Sequence, residues 1–139
     1  PFLRNPANDP CTVGIILNDI TETNRGCEAI VEEVGAGATV AGLFANNDFG
    51  KTYQQTLKEC SGIELVAEEL HDPAAPDVTN EMTTLASSGA QVFVAGTTGA
   101  FCPQSGGVMD ATEWRPRFYM AYSCTNLTAF FPQVTDAAV

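Results

Sequence analysis

Positive charge is scarce in this chain. Its 139 residues hold 6 Lys and Arg against 17 Asp and Glu, for a net charge of −11 with the single histidine neutral. Residues 1–61 carry four basic and eight acidic side chains, residues 62–113 none and eight, and residues 114–139 two and one. No Lys or Arg stands between Lys58 and Arg115. No nucleic-acid partner is therefore expected, because such binding needs a basic footprint to neutralise phosphates. An anionic membrane surface is disfavoured for the same reason. Long apolar runs are also missing: none approaches the ~20 residues that span a bilayer. The chain opens Pro1-Phe2-Leu3-Arg4, without a starting Met, a basic leader or a signal-like apolar core, and reads as a piece excised from something longer. An apolar fraction of 45% suits a globular chain rather than a disordered one. The length suits one domain, able to bury roughly two-thirds of its unfolded surface.

Metal-binding residues are sparse as well. The only histidine is His71, and the five cysteines at 11, 27, 60, 102 and 124 are scattered. Structural zinc needs four Cys or His ligands, usually in close pairs, so no metal or other cofactor is expected. The cysteines admit two readings: buried free thiols, or one or two disulfides of a secreted protein with one cysteine left over.

The catalytic motifs are equally thin. His71-Asp72 has the composition of half a catalytic pair, but no Ser in a Gly-x-Ser-x-Gly context accompanies it. A lone His in a Pro-rich acidic turn reads as a surface residue. Glu32-Glu33 and Glu68-Glu69 read as solvated faces. Gly35-x-Gly37 precedes a strand, whereas a dinucleotide fingerprint follows one. Gly96-Thr97-Thr98-Gly99 does follow a strand but lacks the Lys-Ser/Thr of a phosphate loop. Its small residues suit a tight turn, and its N–H groups can also receive a carboxylate at a helix start. Asn126-Leu127-Thr128 matches a glycosylation sequon, a pattern short enough to recur by chance. Trp114-Arg115-Pro116 reads as a turn packed on the sheet edge. No nucleophile, base or metal set stands out, so no enzyme is expected.

The remaining pattern is an alternation of strands and helices. Residues 1–18, with Pro1, Pro6 and Pro10, read as an entry segment, and residues 19–139 as a single α/β ligand-binding lobe. Ile20, Cys27, Ile30, Val31 and Val34 recur at helical spacing behind Asp19 and Thr21 as caps, and Gly35-Ala36-Gly37 stops that helix. Thr39–Ala45 is a buried strand. Phe49, Tyr53, Leu57 and Cys60 line one face of a second helix, ended by Gly62. Ile63–Leu70 is a partly alternating strand, and Asp77 caps a helix with Val78, Met82 and Leu85 inside. Gln91–Ala95 is a short apolar strand. A weak helix follows, with Gly106-Gly107 inside it, then a strand at Arg117–Tyr122 and a final short helix over Leu127 to Val134. The pattern predicts a three-layer αβα sandwich around a mainly parallel sheet. Ligands of such sheets bind at the loops beyond the carboxyl ends of the strands. Those loops hold Asn47, Asp48, Phe49, Thr97, Thr98, Tyr122 and Ser123, groups that orient and cover a small polar ligand.

Thr39–Lys58 (TVAGLFANNDFGKTYQQTLK) resembles the opening of the second lobe in substrate-binding proteins of the type I periplasmic fold, above all the branched-chain-amino-acid group of ABC transporters. The resemblance continues through Val66–Asp77, Leu85–Gly96 and Arg115–Ser123, and covers residues 38–138. It implies a truncated lobe of an extracellular or periplasmic protein, membrane-anchored in its parent, that binds a small ligand for import through a membrane permease. A ligand-binding sensor domain of a receptor with the same fold is the alternative. It implies that Phe49 packs on the ligand and that Thr97 and Thr98 form another wall. The position that often supplies an acid to the ligand's ammonium reads Ser123, which leaves amides, hydroxy acids and aromatic acids level with amino acids. On this fold Cys102 and Cys124 follow neighbouring strands and come within bridging distance, and Cys27–Cys60 is a second candidate pair. An unpaired sheet edge invites association into a dimer.

Overall fold

The computed structural model describes residues 17–125. Four strands and four helices alternate along it: α1 (Asp19–Glu33), β1 (Ala38–Ala45), α2 (Asp48–Lys58), β2 (Ile63–His71), α3 (Thr79–Ser87), β3 (Val92–Gly96), α4 (Phe101–Ala111) and β4 (Arg117–Met120). A single 3-10 turn, Tyr122–Cys124, follows β4. The sheet is parallel throughout, in the order β2-β1-β3-β4. Strand composition matches sheet position. The inner strands β1 and β3 are buried almost throughout, as a strand covered on both faces must be. The edge strand β2 alternates half-buried with exposed residues. A bulge opposite Val40 and Ala41 shifts its register, leaving Val66 unpaired in the ladder and exposed.

Helices cover both faces. Cys27 and Ile30 of α1 and Tyr53 and Leu57 of α2 pack on Val40, Phe44, Val92 and Val94. On the other face Val78, Met82 and Leu85 of the α3 segment and Met109 of α4 pack on Ala41, Leu43, Phe93 and Ala95. Residues adjacent along a strand thus serve opposite layers, as the two-residue period of a strand requires.

Several details differ from the expectation. The cap of α1 is Asn18, not Asp19 or Thr21: its Oδ1 accepts the Thr21 N–H at 3.1 Å, and Asp19 is the first helical residue. α4 runs eleven residues, straight through Gly106-Gly107. Pro103 stands in the first turn, where its missing N–H is not needed, and Gly106 is buried by tertiary packing that overrides propensity. The fourth strand stops at Met120, so Tyr122 belongs to the 3-10 turn. Trp114 lies not on the sheet edge but against Phe93 of an inner strand, with ring centroids 5.5 Å apart and its indole N–H donating to Ala90 O. Cys11, the sequon at Asn126 and the helix over Leu127 to Val134 lie outside the described residues.

Both expected disulfides are formed. Cys27–Cys60 joins α1 to the end of α2, with Cα atoms 6.2 Å apart. Cys102–Cys124 joins the first turn of α4 to the 3-10 turn, with Cα atoms 5.6 Å apart. The free-thiol reading is thereby overturned for four of the five cysteines.

Candidate functional site

Every helix that follows a strand here starts at the carboxyl end of the sheet, and α1 starts there too, since its first turn reaches the loop after β4. Three loops meet at that end: Asn46–Gly50, Thr97–Ala100 and Tyr122–Thr125. The first is shaped by Asn47, which caps α2 by accepting the Gly50 N–H at 3.0 Å. Asp48 is exposed beside it, and Phe49 is half-buried with its ring 4.9 Å from that of Tyr53. In the second loop Thr98 is exposed, but Thr97 is fully buried. Its Oγ1 lies 2.6 Å from His71 Nε2, which turns the side chain away from the loop surface. In the third loop Tyr122 is 44% exposed, and the half-buried Ser123 donates from Oγ to Thr97 O at 2.9 Å.

The loops are tied from beneath. Asn46 N–H donates to His71 O at 2.8 Å. The Cys102–Cys124 bridge fastens the third loop to α4. Two residues of this support escaped the sequence reading. Glu22, in the first turn of α1, accepts the Tyr122 N–H at 2.7 Å and the Tyr53 hydroxyl. Burial, reinforced by the Glu22 carboxylate, pushes the Tyr53 phenol above its ordinary value. No spacing in the sequence pairs Glu22 with Tyr53 or Tyr122, which lie 31 and 100 residues away. The other is His71. Read as a surface residue, it is the last residue of β2 and only 1% exposed.

The electrostatics differ around the rim. The first turns of α1, α2 and α3 carry acids: Asp19 and Glu22, Asp48, and Glu81. That of α4 carries none, and no side chain caps it. Its N–H groups and the positive end of its dipole are therefore the least compensated of the four. A cavity of about 80 Å³ lies under α1, lined by Glu22, Ile30, Tyr53, Tyr119 and neighbours, but by none of the seven expected site residues. Among the described residues no group of three or more His, Cys, Asp or Glu is placed to hold a metal ion. No helix among them is long and apolar enough to cross a membrane.

Solved structures share this architecture. An extracellular ligand-binding receptor from Rhodopseudomonas palustris superposes with a TM-score of 0.76 at 14% identity, over 88% of this chain and 34% of that one. A type 1 periplasmic binding protein from Bordetella pertussis gives 0.72 at 13% identity, over 84% and 32%. The chain has the fold of a type I periplasmic binding protein lobe. A fatty acid ABC transporter substrate-binding protein from Thermomonospora curvata is similar to this lobe to the same degree, at 0.71 and 14% identity, over 87% and 31%. The lobe spans about a third of the length of these structures. No family model matches the chain, and no curated protein matches its sequence.

Proposed function

We propose that this lobe binds a small solute outside the cytoplasm and delivers it, as part of a two-lobed protein, to the permease of an ABC importer. One observation carries the reading: Phe49, Thr98 and Tyr122 stand on three loops at one end of a parallel sheet, on a fold whose solved neighbours are described as ligand-binding and substrate-binding proteins. Binding consists of hydrogen bonds from Asn47, Thr98 and Ser123 and aromatic cover from Phe49 and Tyr122, followed by closure against a second lobe. Thr97 supports this surface from below, and Asp48 lies at its acidic edge. The two disulfides favour an oxidising compartment, periplasmic or extracellular.

The ligand class follows from charge. The loop after β4 offers Ser123 rather than a carboxylate, so the acids at this end are Asp48 at the start of α2 and Glu22 at the start of α1. The uncapped start of α4 instead favours an anion. A small organic acid, with or without an amide or hydroxyl, is therefore a candidate beside an α-amino acid, its carboxylate at the start of α4. One solved neighbour, an extracellular ligand-binding receptor, supports a second reading, in which the same binding event drives signalling.

A thermal-shift screen of the two-lobed protein with amino acids, amides, hydroxy acids and aromatic acids tests the proposal. A solute at a hundred times its dissociation constant adds ~2.7 kcal/mol of stability. A shift with carboxylates and not with neutral amides supports the organic-acid reading. Absence of any shift across all four classes contradicts solute binding.

A further inference from the structure

We propose that His71 is a positioning residue for the ligand-binding end, held as the neutral imidazole with its hydrogen on Nδ1. Every polar atom outside its own amide is engaged. Its carbonyl accepts the N–H of Asn46, where the first loop begins. Its Nδ1 lies 3.1 Å from Asp72 O, while the Asp72 carboxylate accepts the Ala74 N–H. Its Nε2 lies 2.6 Å from Thr97 Oγ1, where the second loop begins. Its ring lies 4.2 Å, centroid to centroid, from that of Phe101, the first residue of α4. Thr97 then passes the connection on, since its carbonyl accepts the Ser123 hydroxyl of the third loop. One buried residue thus links the first loop through its carbonyl, the second through its ring, and the third by way of Thr97.

In the neutral imidazole of the proposal, the chemistry of the partners fixes the tautomer. A carbonyl oxygen only accepts, so Nδ1 carries the hydrogen toward Asp72 O. A neutral imidazole has one N–H, which leaves Nε2 as an acceptor. The Thr97 hydroxyl must therefore donate to Nε2, and that bond aims the start of the second loop. Removing either side leaves a buried polar atom unpaired, the costly way to lose a hydrogen bond. The link to solute binding rests on the function proposed above, but the positioning itself is testable without any ligand.

The chain has a single histidine, so imidazole 15N spectra of histidine-labelled protein at pH 7.5 report one residue alone. The expected result is a fixed Nδ1–H tautomer with a hydrogen-bonded, unprotonated Nε2. An Nε2–H tautomer, an imidazolium, or rapid averaging of the two tautomers overturns the proposal. Amide exchange on Thr97→Val and Thr97→Ser provides the second reading. In Thr97→Val, the amides of Asn46 and Cys124 should exchange roughly threefold to tenfold faster, while the slowest sheet amides are unmoved. Thr97→Ser, which keeps the donor, should restore them. Uniform acceleration of all amides, or no local change, means that His71 merely fills space. Should Thr97→Val not fold, the spectra of the unaltered protein still decide. These readouts fail or succeed independently of the solute screen.

Discussion

Gly50 has no room for a side chain. A Cβ there would sit 2.1 Å from Ala45 O and 2.5 Å from Ala45 N, both main-chain atoms at the end of β1. The close approach lets α2 start directly over the strand end and fixes Phe49 beside Tyr53. Gly50→Ala is expected to lose ~1–3 kcal/mol of stability in urea unfolding, the usual range for overpacking. Gly26, in the middle of α1, meets nothing within 4 Å. Gly26→Ala should gain ~0.5–1 kcal/mol in the same assay, because alanine loses less backbone freedom in a helix. Phe49→Ala should lose ~1–2 kcal/mol of stability, since the half-buried ring packs on Tyr53, and weaken binding of the solute found by the screen roughly tenfold or more, read by calorimetry. Unchanged affinity would remove Phe49 from the site. At this scale the sequence was read best where a residue's role is local. Phe49, Tyr53 and Leu57 lie on the helix that their spacing predicts. His71, expected at the surface, is buried against Thr97 26 residues away, and no local pattern encodes that pair.

Helices α1 and α2 are held to the sheet by apolar packing and to each other by a hydrogen bond and a disulfide. Tyr53 of α2 donates to Glu22 of α1. Cys27 of α1 is bonded to Cys60 beyond α2. Closing a loop of 33 residues is worth ~3–4 kcal/mol in the chain-entropy account. The Cys27→Ala/Cys60→Ala pair should lose about that much in denaturant unfolding, with the Cys102–Cys124 bridge intact. The tyrosine device has a pH signature. Its phenol titrates above its ordinary value when folded, so the stability it contributes is complete below the unfolded value of ~10 and declines as pH rises beyond it. The melting temperature of the unaltered protein should therefore fall more steeply above pH 10 than that of Tyr53→Phe. Parallel slopes for the two would contradict a raised phenol. Asp77 works in the opposite sense. Hydrogen bonding to Thr79 at the start of α3 lowers its carboxyl, so its contribution is present above the unfolded value of ~3.9 and lost as pH falls through the folded one.

The whole molecule explains why the fold was legible and the site only partly so. A run such as TVAGLFA, apolar on both faces, can only be an inner strand under two helical layers, and β1 is that strand. Ile63–His71 alternates, and it is an edge strand. Periodicity indicated the alternation of strands and helices, and the parallel direction of the strands puts the loops after them at one end. It could not say which loop residues face outward. That depends on contacts between loops: Thr97 turns in to His71, Ser123 reaches Thr97, and Glu22 arrives from a helix at the other end of the chain. The ligand itself is legible only as a charge preference, from an uncompensated α4 start beside Ser123.

Solute binding at the carboxyl end of the sheet is the central claim, and its most direct test is a residue-resolved one. Amide 15N–1H spectra of the chain are recorded while a small carboxylate such as acetate, lactate or benzoate is raised to tens of millimolar. One lobe contributes half of an enclosing pocket, so weak binding is expected and high concentration is needed. The account predicts saturable shifts confined to Phe49 and Gly50, Thr98 to Cys102, and Tyr122 to Cys124, with the largest at the start of α4. Shifts confined to the cavity lined by Glu22, Ile30, Tyr53 and Tyr119, or none at any carboxylate concentration, would contradict it.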